Sequence, residues 1–216
     1  TPERLLAGTL PLGWQAGVAD VEKDLPETAM RRVRGRAPRD LAGTLFRNGP
    51  AKFRRPGGSA AHWFDGDGLI RRYAVGDGEA RLSARFVDTP KRRLESRVGA
   101  MVVPGFGTPA NTSVMVSGSE LLALWEGGSP MRLDPQSLET LGSKTFRPDL
   151  RFSPFLAHPR VEPDGTVWNL GSGGDKAIIW KLAPGGALAS VELVPLPQAS
   201  YFHDFTATSR HLIIVL

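Results

Sequence analysis

The chain has no cysteine. That excludes disulfides and thiolate metal ligands, and it leaves the redox compartment open. No stretch approaches the roughly 18 continuous apolar residues that a membrane-spanning helix needs. Histidine is scarce, at 4 in 216 residues, so any imidazole metal site must gather its ligands from distant parts of the chain. What remains is an ordinary globular composition, 41% hydrophobic and 23% charged, long enough for one domain with a real core. The 25 glycines and 18 prolines, set among many short apolar runs, argue for strands joined by tight turns.

The net charge is +5 and the pI is near 10.0. The excess is local: Arg31, Arg32, Arg34, Arg36 and Arg39 form one cluster, and Lys91, Arg92, Arg93 and Arg97 another. No aromatic residues interleave with either cluster and no nucleic-acid module is visible, so nucleic acid is not an expected partner. A solvated basic face is the expectation, with peripheral contact to a membrane surface as the alternative. The expected location is cytoplasmic. The first residue is Thr1, which is compatible with removal of a leader.

Residues 1–40 are mixed, punctuated by Pro11, Pro26 and Pro38, and read as a segment that wraps another element. From residue 41 a hairpin grammar repeats. Residues 121–126 read as a strand, 127–130 as a turn, 131–133 as a strand, 134–137 as a turn, and 138–141 as extended. The next unit follows the same plan, with strands at 167–170, 176–182 and 188–193. Such recurrence is what propeller blades give, and a β-sandwich would give similar strand lengths. Residues 91–98 read as a short helix. The apolar run 101–107 after it suits either packing over a barrel mouth or dipping into a bilayer surface.

His158, in Ala157-His158-Pro159-Arg160, and His203, in Tyr201-Phe202-His203-Asp204-Phe205, each stand where a strand begins. They are too far apart for a local metal loop or one helical face. If they share a metal, they converge from different strands; imidazole suits Fe, Zn and Cu. The alternative is two partly buried histidines satisfied by backbone groups.

Several blocks bear on that choice. They are Gly43-Thr44-Leu45-Phe46-Arg47-Asn48-Gly49-Pro50, His62-Trp63-Phe64-Asp65-Gly66-Asp67-Gly68, Asn111-Thr112-Ser113 and Leu121-Leu122-Ala123-Leu124-Trp125-Glu126-Gly127-Gly128. Leu133-Asp134-Pro135 and Leu138-Glu139-Thr140-Leu141-Gly142 follow, ahead of the two histidine segments. In content and order, from about residue 40 onward, this set resembles the carotenoid cleavage oxygenase family.

The resemblance implies an all-β fold, part of a seven-bladed β-propeller with a helical and loop cap near the substrate entrance. It also implies Fe(II) on the axis, held by four histidines from four blades. Only two of the four motifs are present, at His158 and His203; His62 and His211 match neither missing motif. Residues 41–216 would then be the first blades of one propeller domain, with the rest beyond residue 216 and residues 1–40 as the wrapping segment. The run 212–216 reads as a strand, and left unpaired at an edge it would invite aggregation.

By the same resemblance Glu126 holds a histidine through its distal N–H, and Thr112 crowds an open coordination position with its methyl group. Trp125 stands in the cavity wall beside the iron. Phe106, Phe155, Tyr201 and Phe205 are further candidates for an aromatic tunnel, with packing between blades as the alternative for each. Asp65 and Asp67 read as turn residues, because calcium-loop spacing does not follow. The implied activity is oxidative cleavage of a C=C bond of a carotenoid or apocarotenoid into two carbonyls, with an apolar polyene and O₂ as partners. Stilbene-cleaving relatives carry a lysine and a tyrosine that grip a phenol; Trp125 and Phe86 stand in those places here. A stilbene-cleaving dioxygenase is the alternative enzyme, and a non-catalytic propeller binding module the alternative class.

Overall fold

The computed structural model describes residues 19–38, 40–101 and 107–216. Phe106 and Arg39, and most of the apolar run after the helix, lie outside the described residues. Three antiparallel sheets follow one another along the chain. The first contains β1 (Leu25–Ala29), β2 (Gly43–Arg47), β6 (Asp67–Gly76) and β7 (Glu79–Phe86), in the order β1-β7-β6-β2. A short β3 (Pro50–Lys52) pairs with the start of β6, and β4 (Arg54–Arg55) and β5 (Gly58–Ser59) form a small ribbon. The β6–β7 turn runs through Asp77 and Gly78, at φ 52° and 76°. Two positive φ values in a two-residue loop match the right-handed twist of the flanking strands.

One helix, α1 (Pro90–Val98), follows. The Thr89 side chain accepts the Arg92 N–H, Pro90 opens the first turn where its missing N–H costs nothing, and Gly99 closes it in the left-handed region at φ 69°. Among the described residues no helix is long and apolar enough to cross a membrane.

The second sheet is a meander of β8 (Ser113–Ser117), β9 (Glu120–Leu124), β10 (Met131–Leu133) and β11 (Thr140–Ser143). The third is a meander of β12 (Arg160–Val161), β13 (Val167–Ser172), β14 (Lys176–Leu182) and β15 (Leu188–Pro195). A last hairpin pairs β16 (Thr206–Ala207) with β17 (Leu212–Ile213).

β9 explains why the middle of the chain reads as unbroken hydrophobic sequence. Leu121 and Ala123 belong to a core shared with Ile70 and Val87, next to the first sheet. Leu122 and Leu124 belong to a second core with Phe155, Trp180 and Leu182 of the third-sheet region. Alternate side chains point to opposite faces of a strand, so a strand buried on both faces must be apolar throughout. Truncating a residue such as Leu124 to Ala would cost about 2–5 kcal/mol.

Several expectations change. Leu138 ends a turn at φ 59°, its N–H bonded to the Asp134 carbonyl, so the strand starts at Thr140 and not at residue 138. The run 212–216 is strand only at Leu212–Ile213, and that piece is paired with β16. Leu25–Ala29, in the segment expected to wrap, is an added edge strand on β7. The described residues form stacked sheets and close no barrel or ring.

Asp65 ends a one-turn 3-10 helix, Trp63–Asp65, and its carboxylate accepts the His62 N–H in a capping box. Asp67 is not a turn residue. It is 1% exposed at the start of β6, where it meets Arg55, Lys91 and Arg92. The basic run on α1 is accordingly not one solvated face. Lys91 is buried against Glu95 and Asp67, while Arg93 and Arg97 are exposed, Arg93 pairing with Asp88.

Candidate metal centre

The ends of the sheets bring the site together. β8 and β9 are antiparallel, with Ser113 opposite Leu124, so the residue entering β8 and the residues leaving β9 share one end. Thr112 enters and Trp125-Glu126 leave, and the Thr112 N–H donates to the Leu124 carbonyl at 3.1 Å. The Ser113 hydroxyl donates to the carbonyl of Ala157, which ties the segment carrying His158 to the same end. Asn169 on β13 donates from its buried amide to the Leu156 carbonyl at 2.7 Å and holds that segment from the other side. His203 arrives just ahead of β16, anchored by buried Phe202 and Phe205.

The two imidazoles meet edge to edge, with His158 Nε2 2.9 Å from His203 Nε2. The other nitrogen of His203, Nδ1, is 3.1 Å from Glu126 Oε1. Donor atoms of Glu126, His158 and His203 all lie within 4.8 Å of one another. Glu126 Oε1 also lies 3.9 Å from His158 Nε2, so the carboxylate stands beside both rings, close enough to fix a ligating imidazole or to share its cation. Without an ion, the pair is held as one N–H···N contact.

The spacing itself tests the fit. Two nitrogens about 2.1 Å from one ion and at right angles around it lie about 3.0 Å apart; at the tetrahedral angle they lie about 3.4 Å apart. The observed 2.9 Å is compatible with two nitrogens on one ion, and it equally fits a single N–H···N hydrogen bond. Both carboxylate oxygens of Glu126 are buried without an aligned hydrogen-bond donor. Two facing imidazoles beside a buried carboxylate are what a divalent cation would satisfy.

Electrostatics point the same way. Burial raises the Glu126 carboxyl above its usual pKa, with the His203 charge and the Ala157 amide opposing. Burial, then the neighbouring His203, lowers His158, which favours the neutral ring that can ligate.

A cavity of about 670 Å³ opens beside the pair, with Trp63, Phe64, Thr112, Trp125, Tyr201 and His203 in its wall. Of the residues singled out in the sequence, Thr112, Trp125 and Tyr201 line this cavity. Phe155 and Phe205 are not: Phe155 is fully buried, stacked on Phe146 and edge-on to Trp180, and Phe205 is buried with Leu156 and Leu170. Both serve the packing role weighed against the tunnel role. Phe86 is also core, 4% exposed beneath the Arg92 guanidinium, and does not line the cavity.

Trp63 and Phe64, 52% and 60% exposed, were missed as wall residues. Their signal was two adjacent aromatics just before a β-strand, in a turn whose carbonyls the buried Asn111 amide holds at Phe64 and Gly66. A larger hollow of about 870 Å³ lies between β12–β14 and the last hairpin, lined by groups such as Glu162, Lys181 and Arg210. Neither member of the histidine pair reaches it.

Known proteins match this arrangement. The family model described as retinal pigment epithelial membrane protein matches residues 18–216. The apocarotenoid-15,15'-oxygenase of Synechocystis is 31% identical over the whole chain, which covers 48% of that protein. The resveratrol cleavage oxygenase 1 of Aspergillus fumigatus is 27% identical over 89% of the chain and 42% of its own length. The crystal structure of a cobalt-substituted Synechocystis apocarotenoid oxygenase superposes with a TM-score of 0.82 at 29% identity, over 93% of the chain and 48% of that structure. The chain thus spans about half the length of the relatives it matches. With a family match over nearly its whole length and a metal-ready histidine pair in a shared fold, the chain belongs to the carotenoid oxygenase family.

Proposed function

We propose that the complete protein is a non-haem Fe(II) dioxygenase that cleaves a C=C bond of a carotenoid or apocarotenoid into two carbonyl products. The observation that carries this reading is the His158–His203 pair, 2.9 Å apart, at the wall of an aromatic cavity. His158 and His203 would hold the metal through Nε2, and Glu126 would fix the His203 ring through Nδ1. Bound iron would supply the one-electron chemistry that O₂ needs to react with a closed-shell alkene.

The protein's own part is placement. Trp125, Trp63 and Phe64 offer flat apolar area to a polyene, which presents only apolar surface and π faces. Tyr201 adds a ring on the same wall, and Thr112 stands beside Glu126 and His203, where its bulk would restrict access to the metal. Holding one double bond near the metal selects the bond cleaved. In this reading the three sheets are blades of a seven-bladed propeller and residues 41–216 supply most of its first part, with Leu25–Ala29 added as an edge strand. The location in this reading is cytoplasmic, with peripheral membrane contact as the alternative.

A stilbene substrate is the second reading, motivated by the similar resveratrol cleavage oxygenase. Trp125 in place of a phenol-binding lysine favours the apolar substrate, whereas Phe86 no longer bears on the choice because it is core. The test is a competition on the iron-loaded complete protein between an apocarotenal and a 4-hydroxystilbene, with products identified by mass. Faster apocarotenal cleavage is expected. Faster stilbene cleavage would overturn the substrate, and no cleavage of either by a protein that binds no iron would favour a binding module.

A further inference from the structure

His158 and His203 come from different segments, and their separation has to be kept by something other than the metal they face. Apart from the contact between the two rings, one side chain makes every hydrogen bond between residues 157–161 and residues 201–206 among the described residues. Arg160, at the start of β12 and two residues after His158, donates from Nη2 to Asp204 Oδ1 at 2.7 Å and to the Phe205 carbonyl. Asp204 directly follows His203, and its Oδ1 also accepts the Phe205 N–H at 2.7 Å. The guanidinium carbon lies 5.4 Å from the Phe205 ring centroid, and that ring is buried with Phe202, Leu156 and Leu170. The strap therefore ties the strand behind one histidine to a loop anchored in the core behind the other.

We propose that Arg160 is a positioning residue: through Asp204 and the Phe205 carbonyl it fixes the spacing of the two imidazoles and so sets the affinity of the site for a divalent cation. This rests on the reading of His158 and His203 as ligands of one metal. Donors that must stand at a set separation lose affinity when either drifts by a few tenths of an ångström, and partners behind the ligands prevent that drift.

Charge and positioning predict opposite signs. A guanidinium near a dication repels it, so on charge alone removing Arg160 would tighten metal binding. Positioning predicts that removal weakens it. Global stability should change little in either case, because the Arg160 and Asp204 side chains are 40% and 48% exposed and such pairs contribute little to folding.

The experiment measures Co(II) affinity of the metal-free complete protein by chelator competition, alongside its thermal midpoint. Arg160→Met is expected to weaken Co(II) binding about 10-fold or more, with the midpoint of the metal-free protein nearly unchanged. Arg160→Lys is expected to lose clearly less than Arg160→Met, because its ammonium keeps a charged donor toward Asp204 although its stem ends one bond short of Nη2. If Arg160→Met does not fold, the shorter polar Arg160→Gln replaces it, with the same expected and overturning results. Binding as tight as wild type or tighter in the Met variant overturns the proposal, and so does an equal loss in the Lys variant. His158→Ala separates the two levels. If it alone loses Co(II), the positioning role fails and the ligand reading stands; if it too binds like wild type, the ligand reading fails.

Discussion

Glu126 Oε1 stands 3.1 Å from His203 Nδ1 and 3.9 Å from His158 Nε2. One buried carboxylate therefore sits against both imidazoles of the facing pair. A free pair of surface histidines has no reason to adopt that arrangement.

The glutamate should matter more to the metal than to the fold. Glu126→Gln keeps the shape but loses the charge, and it is expected to weaken Fe(II) binding about 10- to 100-fold. Thermal unfolding of the metal-free protein should be nearly unchanged. Wild-type iron affinity in a well-folded variant would reduce Glu126 to a packing residue.

Trp125 carries the substrate argument. An unpaired buried hydroxyl costs about 1–3 kcal/mol, roughly 5- to 150-fold in specificity. Trp125→Lys is therefore expected to move the kcat/KM ratio toward a 4-hydroxystilbene and away from an apocarotenal. An unchanged ratio would remove Trp125 as the source of the preference.

How much of this was legible varies with the residue. Residues 176–182 and 131–133 coincide with β14 and β10 because Gly, Pro and Asp bracket them and nothing long-range competes. The helix read over 91–98 is Pro90–Val98, fixed by Thr89 and Gly99. Edge strand β1 gave no signal, since all five residues are exposed and no alternation marks them. His158, His203 and Glu126 were singled out through the family resemblance and not from their local motifs alone, and their donor atoms lie within 4.8 Å of one another. Phe86 ends a strand, where register decides whether an aromatic faces core or cavity, and Phe155 and Phe205 lie in connecting segments, where no periodicity says which way a ring turns. Asp67 was read as a turn residue because a turn precedes it. Its cations Arg55, Lys91 and Arg92 lie elsewhere in the sequence and meet it only in the folded chain.

That buried cluster yields a stability contrast. Lys91 Nζ is 2.7 Å from Glu95 and 3.7 Å from Asp67, and it also donates to the Asp65 carbonyl at 3.0 Å. Burial already pushes the Asp67 carboxyl above its ordinary pKa, with Arg55 and Lys91 pulling it back. Lys91→Met should cost about 3–5 kcal/mol. Arg93→Met, which breaks an exposed pair with Asp88, should cost about 0–1 kcal/mol. Urea unfolding of both variants checks the difference, and equal costs would contradict the buried cluster.

A second charge site gives a pH signature. Glu120 lies 2.6 Å from Arg132 and 2.7 Å from Lys144. Burial opposes its ionisation, but Lys144 and Arg132 outweigh burial and hold the carboxyl below its ordinary value of 4.5. A folded pKa below the unfolded one means a contribution that is complete above the unfolded value and lost as pH falls through the folded value. Glu120→Gln should therefore be less stable than wild type near neutral pH, with the gap closing as pH falls below the ordinary carboxylate value and through the lower folded one. A urea-midpoint gap that stays constant across that range would contradict the ion-pair account.

The central claim is that His158 and His203 hold one iron, and metal binding tests it most directly. The complete protein, stripped and reconstituted anaerobically with ferrous iron, is predicted to retain close to one iron per chain after desalting. The His158→Ala/His203→Ala double variant is predicted to retain almost none. Near-stoichiometric iron in a folded double variant would contradict the account.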